Sequence, residues 1–213
     1  MCARYSLTPE QAKLVLAGLV HIFAFAPRYN IGPAQRAPVI VKTPKGVKCE
    51  EMTWGFKSAG SKALHINAQA ERVQTSSFKK LLGQRCLVPM DGFYEWKPDK
   101  SPFRFVRHKR DVFYVAGLWR MTEKPELDEP AQGLSFVLLT TAANASVKPI
   151  HTWMPFIVRE EHLDGWLGDA LETVLNSPDD TPLESYPVSR AVNNVRNEGP
   201  DLIRPAPVER ELL

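Results

Sequence analysis

The chain is poor in cysteine. Its 213 residues hold three, Cys2, Cys49 and Cys86, too few and too scattered for a disulfide framework. No CxxC pair suggests a structural zinc site. Long apolar runs are missing too. The best stretch, residues 14–25, is interrupted by Gly18 and His21 and falls well short of the roughly 20 residues a membrane-spanning helix needs. A charged head with a cleavage motif, the mark of a secretory signal, is absent. Neither sign of charge dominates: 27 Lys and Arg face 24 Asp and Glu, a net charge of +3. That balance excludes neither nucleic acid nor small molecules, because a local basic groove matters more than the total. No repeat, low-complexity tract or linker divides the chain. The expectation is a soluble protein of the reducing cytoplasm with no metal, cofactor or membrane segment. It should be monomeric and fold as one domain over residues 1–213, with an irregular tail from about residue 197.

What is present is a strand-rich pattern. Hydrophobic residues make up 44% of the chain, enough for a core without covalent staples. Thr8-Pro9-Glu10-Gln11 carries a cap, a first-turn proline and a capping-box glutamine, which predicts a helix to about Gly18. Val39-Ile40-Val41 and Met52-Thr53-Trp54-Gly55-Phe56 read as strands around the turn Thr43-Pro44-Lys45-Gly46. Thr75-Ser76-Ser77-Phe78 reads as the cap of a short basic helix over residues 79–82. Residues 85–90 and 93–97 flank an Asp91-Gly92 turn, and strands follow at residues 103–107, 112–119 and 134–140. In Phe103-Arg104-Phe105-Val106 the alternation fits one buried face. Helical pattern returns at residues 160–167 and 169–175, and Tyr186-Pro187-Val188 reads as an edge strand. The class this implies is α+β, a single domain on a curved, mainly antiparallel, β-barrel-like sheet with flanking helices.

Four positions could carry chemistry. Cysteine directly after the initiator Met1 is one. Once Met1 is removed, Cys2 bears a thiol and a primary amine on adjacent carbons, titrating near about 8.5 and about 8. Such a 1,2-aminothiol captures an aldehyde as an imine and closes a thiazolidine ring; it can also attack an amide carbonyl. The plainer reading is a small residue in a frayed terminus. Glu95, between Tyr94 and Trp96, either shares an inward face with Phe93, where burial would raise its pKa and suit it to acid/base work, or faces solvent. His151, in a loop pinned by Pro149 and Pro155, is a proton-shuttle candidate or simply exposed. Asn67 by itself is a turn or cap residue, and Glu71 a surface partner for Arg72 or Lys79. The remaining histidines read as bland. Arg28, Arg36, Lys42, Lys45, Lys48, Lys57, Lys62, Lys79, Lys80 and Arg85 make either a solvated surface or a phosphate-tracking groove.

In order along the chain stand Met1-Cys2-x-Arg4-Tyr5, Arg28-Tyr29-Asn30-Ile31-x-Pro33, Trp54-Gly55 and Ile66-Asn67-Ala68-x-Ala70-Glu71. They continue with Arg85-Cys86-Leu87-x-Pro89-x-x-Gly92-Phe93-Tyr94-Glu95-Trp96, Ala116-Gly117-Leu118-Trp119, Thr140-Thr141-Ala142-Ala143-Asn144 and Ile150-His151-x-x-Met154-Pro155. This series resembles the SRAP family, the SOS response-associated peptidases, also described as abasic-site processing proteins, and reaches to about Arg196. The resemblance implies a protein that recognises abasic sites in single-stranded DNA and becomes covalently attached through a thiazolidine. It implies that Cys2 is the nucleophile, Asn67 positions the N-terminal residue, Glu95 is the acid/base and His151 lies beside the sugar and its phosphate. Arg4, Asn30, Pro33, Gln69 and Trp153 fall at DNA-binding positions. The peptidase label would refer to removal of Met1, by the same thiol or another agent.

The chain departs from that pattern. Gln69 and Trp153 stand where the family usually has arginines that grip phosphate, Ala3 stands where glycine is common, and Phe56-Lys57-Ser58-Ala59-Gly60 replaces a stretch with a further proline and tryptophan. Loss of two charge-assisted contacts should weaken binding. Stacking of Trp153 on a base, or charge from Lys57 or Lys62, would offset it. Two other classes of function fit the residues: an amide hydrolase with an N-terminal nucleophile, and a non-catalytic single-strand-binding module.

Overall fold

The computed structural model describes residues 2–57, 63–122 and 133–207. Met1, residues 58–60 and Lys62 lie outside the described residues, and with them the removal of Met1 and the compensating role of Lys62. The N-terminal part runs β1 (Tyr5–Leu7), β2 (Gln11–Leu16), β3 (Leu19–Ala24), β4 (Arg28–Ile31), β5 (Arg36–Thr43), β6 (Gly46–Trp54), β7 (Phe56–Lys57), β8 (Leu64–His65) and β9 (Asn67–Gln69). Then come β10 (Arg85–Met90), β11 (Gly92–Trp96), β12 (Pro102–Val106), β13 (Phe113–Thr122), β14 (Gly133–Ala142) and β15 (Trp153–Pro155). Two five-residue helices, α1 (Leu163–Leu167) and α2 (Leu171–Leu175), precede the edge strand β16 (Glu184–Pro187).

Two sheets share one interior. A five-stranded sheet runs β16-β12-β11-β1-β4, and a seven-stranded one is built on β13-β10-β5-β6-β14-β15. In the larger sheet β13 also pairs β14, so the pairings return on themselves. The β6–β14 seam is only two residue pairs wide and parallel, which makes a curled sheet rather than an evenly closed barrel. Between the sheets lies an apolar layer of Tyr5, Leu7, Ile31, Met52, Trp54, Phe93, Phe105, Phe136 and Leu138, with Cys2 among them. The outer face of the large sheet is covered by the β2–β3 hairpin and the helices, through Leu14, Leu16, Trp166 and Val174. Tyr94, Val188 and Val192 cover the outer face of the small one. Both faces of β12 are therefore buried, Arg104 included, which corrects the one-face reading of that strand. Among the described residues no helix is long and apolar enough to cross a membrane.

The predicted N-terminal helix is a hairpin. Ala12, Leu14 and Leu16 are buried while Gln11, Lys13 and Val15 are exposed, a period of two that the cap signals at Thr8 and Gln11 obscured. Ala17 and Gly18 take positive φ, 48° and 75°, the conformation of a two-residue hairpin turn. Asp91-Gly92 is likewise no hairpin turn: β10 and β11 belong to different sheets, and Asp91 is the buried corner between them. Ser76 does cap the next turn, accepting from Phe78 N at 3.3 Å, but the helix is 3-10 over Ser77–Leu81.

The hairpin fixes the sign of one substitution. Ala17→Asn relieves a left-handed alanine and should raise the unfolding free energy by about 0.5–1 kcal/mol in urea titration; a helix at this position would lose about 0.5 kcal/mol from the same change.

Candidate active site

β1 is the central device of the site. It inserts between β11 and β4, pairing Tyr5 with Phe93 and with Ile31, and the ladder extends to Arg4, whose carbonyl accepts from Tyr94 N at 3.0 Å. The preceding residue pair is thereby carried inward, and Cys2 is fully buried. Asn67, at the start of β9, donates its amide to the Cys2 carbonyl at 2.7 Å. Placement of Asn67 follows from β9 running parallel to β14, Asn67 beside Leu138.

Glu95 faces the interior with Phe93, while Tyr94 and Trp96 pack on the opposite side. Its side chain is 3% exposed, and burial raises its pKa to about 7. Burial also pushes the Cys2 thiol far up, and the Glu95 carboxylate adds to that shift. A buried thiol of this kind stays protonated near neutrality, and the nearby carboxyl is divided between its two forms. Two oxygens here, Glu95 Oε1 and Asn67 Oδ1, are buried and have no hydrogen-bond partner among the described residues. Unpaired buried acceptors are costly and point to a ligand or reacting group.

His151 is the partly exposed neighbour of Glu95. Its side chain is 28% exposed, with Nδ1 at 3.8 Å from Glu95 Oε2, an ion-pair distance rather than a hydrogen bond. The same nitrogen faces the Trp153 backbone twice: it accepts from Trp153 N at 3.1 Å when unprotonated there, and donates to Trp153 O at 2.9 Å when protonated. The ring is held in place in either state. Cys2, Asn67, Glu95 and His151, singled out in the sequence, thus gather at one place. Among the described residues no cluster of three or more His, Cys, Asp or Glu is arranged to hold a metal ion.

The expected DNA-contacting positions lie in two groups. Arg4 donates from Nη1 to Asn30 Oδ1 at 3.3 Å, and its Nε is buried without a partner. Asn30 is fully buried, its amide directed to the carbonyls of Val192, Asn194 and Asn197 at 3.0–3.3 Å, so it holds Arg4 rather than presenting itself. Gly32, before the half-buried Pro33, runs so close to the C-terminal segment that a Cβ there would meet Val195 Cγ2 at 2.6 Å. Gln69 and Trp153 flank opposite edges of β14, since Thr140 pairs with both Gln69 and Pro155 and Trp153 with Ala142. Both side chains are half-buried. Glu71 does not pair with Arg72 or Lys79; it accepts from Thr141 Oγ1 at 2.7 Å. Several basic residues are taken up by the protein itself: Arg85 by the carbonyls of Trp166, Leu82 and Gly168, Arg36 by Glu51 O at 2.8 Å, and Lys48 by Glu50 at 2.6 Å.

The sequence profile of the SOS response associated peptidase (SRAP) family matches residues 1–195. The chain belongs to this family. Among SRAP relatives, the Abasic site processing protein YoqW of Bacillus subtilis is 29% identical over 224 residues, covering 95% of this chain and 99% of the relative. The Abasic site processing protein YedK of Escherichia coli is 28% identical over 191 residues, covering 84% of each. A phage-related protein from Bordetella bronchiseptica has a similar crystal structure, with a TM-score of 0.70 and 26% identity over 89% of this chain and 95% of that one.

Burial of Glu95 sets a pH dependence. Below its ordinary value of 4.5 the carboxyl is neutral in both folded and unfolded chains. As pH rises the unfolded chain ionises first, so stability is lost until the folded carboxyl has also ionised, above about pH 7. Wild type should therefore lose on the order of 2–3 kcal/mol relative to Glu95→Gln between pH 4.5 and 8 in denaturant titrations. Parallel profiles would mean that Glu95 is not the perturbed group.

Proposed function

We propose that this protein processes abasic sites in single-stranded DNA by forming a covalent bond between Cys2 and the ring-opened sugar. The observation that carries the proposal is a fully buried Cys2 held through its carbonyl by Asn67, beside two buried, unpartnered oxygens. The names of the relatives YoqW and YedK point to the same class of substrate.

The chemistry requires Met1 to be gone, by the Cys2 thiol acting on the preceding amide or by a separate aminopeptidase. The free α-amine of Cys2 then adds to the sugar aldehyde, and loss of one water gives an imine. Addition of the thiol sulfur to the imine carbon, with its proton ending on nitrogen, closes a thiazolidine. Two steps need proton transfer. Glu95 as an acid protonates the departing hydroxyl, and as a carboxylate it takes the thiol proton, roles that a pKa of about 7 allows at one pH. Asn67 orients Cys2, and its unpartnered Oδ1 is an acceptor for the mature amine. His151, partly exposed beside Glu95, lies where the sugar and its phosphate arrive and can move protons during closure or reversal.

Purified wild type should form a heat-stable adduct with an abasic single-stranded oligonucleotide on a denaturing gel. Cys2→Ala should form none, and Glu95→Gln should react about 100-fold more slowly or worse. Equal adduct from wild type and Cys2→Ala would remove the covalent mechanism. Repeated turnover of a peptide substrate would instead identify an amide hydrolase.

Trp153 takes the place of a phosphate-gripping charge by stacking on a base in this reading. Trp153→Ala should lower affinity for undamaged single strands about tenfold while leaving the salt slope unchanged, because no charge is removed. An unchanged affinity would contradict the stacking role.

A further inference from the structure

The N-terminal strand rests on a buried ion pair that lies outside the reacting cluster. Arg104 on β12 and Asp91 at the corner before β11 are 3% and 4% exposed, with Nη2 and Oδ2 at 3.0 Å. Both partners reach into β1 and the residue beyond it. Ser6 Oγ donates to Asp91 Oδ1 at 2.8 Å and receives Arg104 Nη2 at 3.0 Å and Nε at 3.3 Å. Thr8 Oγ1 donates to Asp91 Oδ2, and Asp91 N donates to the Ser6 carbonyl at 3.0 Å. Arg104 Nη1 donates to the Tyr186 hydroxyl at 2.8 Å, which in turn donates to Ile203 O at 3.0 Å. Gly92 makes room for the guanidinium: a Cβ there would meet Arg104 Nε at 2.8 Å.

Stability alone does not account for such a pair. Desolvating two charges offsets most of their attraction, and apolar replacements are often neutral or better; the best-attested use of buried ions is to fix register. β1 has unusual need of that. It is three residues long, has two residue pairs on each side, and its register on β4 shifts between Tyr5 and Leu7. A slip of one residue would turn its side chains to the opposite face and move Cys2 by about 3.3 Å. We infer that the Asp91–Arg104 pair is a register clamp, a positioning device acting through Ser6 and Thr8 to set where the amine and thiol of Cys2 meet their target. The inference rests on the function proposed above for its catalytic consequence.

The test uses two variants, Ser6→Ala and the double Asp91→Asn/Arg104→Gln, which removes both charges and leaves no lone buried ion. Each is measured for amide hydrogen exchange over residues 2–8, affinity for an undamaged single strand, and single-turnover adduct formation with an abasic strand. The clamp predicts faster exchange confined to residues 2–8, affinity within about twofold of wild type, and a reaction at least about tenfold slower, as expected for misplacement of about 1 Å or more. Unchanged exchange in that segment, or a rate within about twofold despite faster exchange, would overturn it. Should the double variant unfold, Ser6→Ala decides by the same criteria. If wild type itself gives no adduct, the proposed function fails, and the exchange measurement still decides whether the pair sets the strand.

Discussion

Everything at the site depends on the insertion of a three-residue strand into the middle of a sheet. β1 lies between β11 and β4, so Cys2 and residues 5–7 are buried rather than frayed. A terminus is ordinarily the least ordered part of a domain. Here backbone pairing to Phe93 and Ile31, the Asn67 amide on the Cys2 carbonyl and the Arg4–Asn30 contact hold it from three sides. Asn30 is itself fastened to the carbonyls of Val192, Asn194 and Asn197, which ties those turns to the segment that carries Cys2.

Burial then does the electrostatic part. The interior that accepts Cys2 disfavours charge on both its thiol and the Glu95 carboxyl. A thiol kept protonated is a poor first nucleophile; in the proposed reaction that leaves the leading step to the amine and the second to the thiol once a proton acceptor is available. In the proposed reaction Glu95 serves in both protonation states: it is buried, no donor among the described residues reaches its Oε1, and the partly exposed ring of His151 lies 3.8 Å from its other oxygen.

How much of this was legible in the sequence varied with the kind of signal. Strands with β-branched or aromatic runs, such as β5, β13 and β14, could be read directly, and the order of the motifs singled out the four residues that the fold brings together. The β2–β3 hairpin could not. Its turn, Ala17-Gly18, lacks the usual asparagine or aspartate, and Thr8-Pro9 imitates a helix start. Reading Ala12, Leu14 and Leu16 at period two, with a glycine just beyond, would have found it. Whether Glu95 faces inward was undecidable from alternation because β11 is buried on both faces. Arg104 and Asp91 passed unnoticed for a related reason: a charge inside an apolar strand looks solvent-facing until the second covering layer is seen. The basic residues read as either a solvated surface or a groove, and neither reading foresees that Arg85, Arg36 and Lys48 serve the protein's own carbonyls and carboxylates.

The two positions where arginine is replaced lie beside one strand. Gln69 and Trp153 stand on opposite edges of β14, and the Trp153 backbone still holds His151 whatever its side chain does. Intact-mass measurement of the denatured protein after incubation with an abasic single strand tests the central claim most directly. The account predicts one DNA strand per protein chain, at the sum of the two masses less one water, formed only on chains that have lost Met1. Adduct on chains that retain Met1, or consumption of the abasic site with no adduct at all, would contradict it.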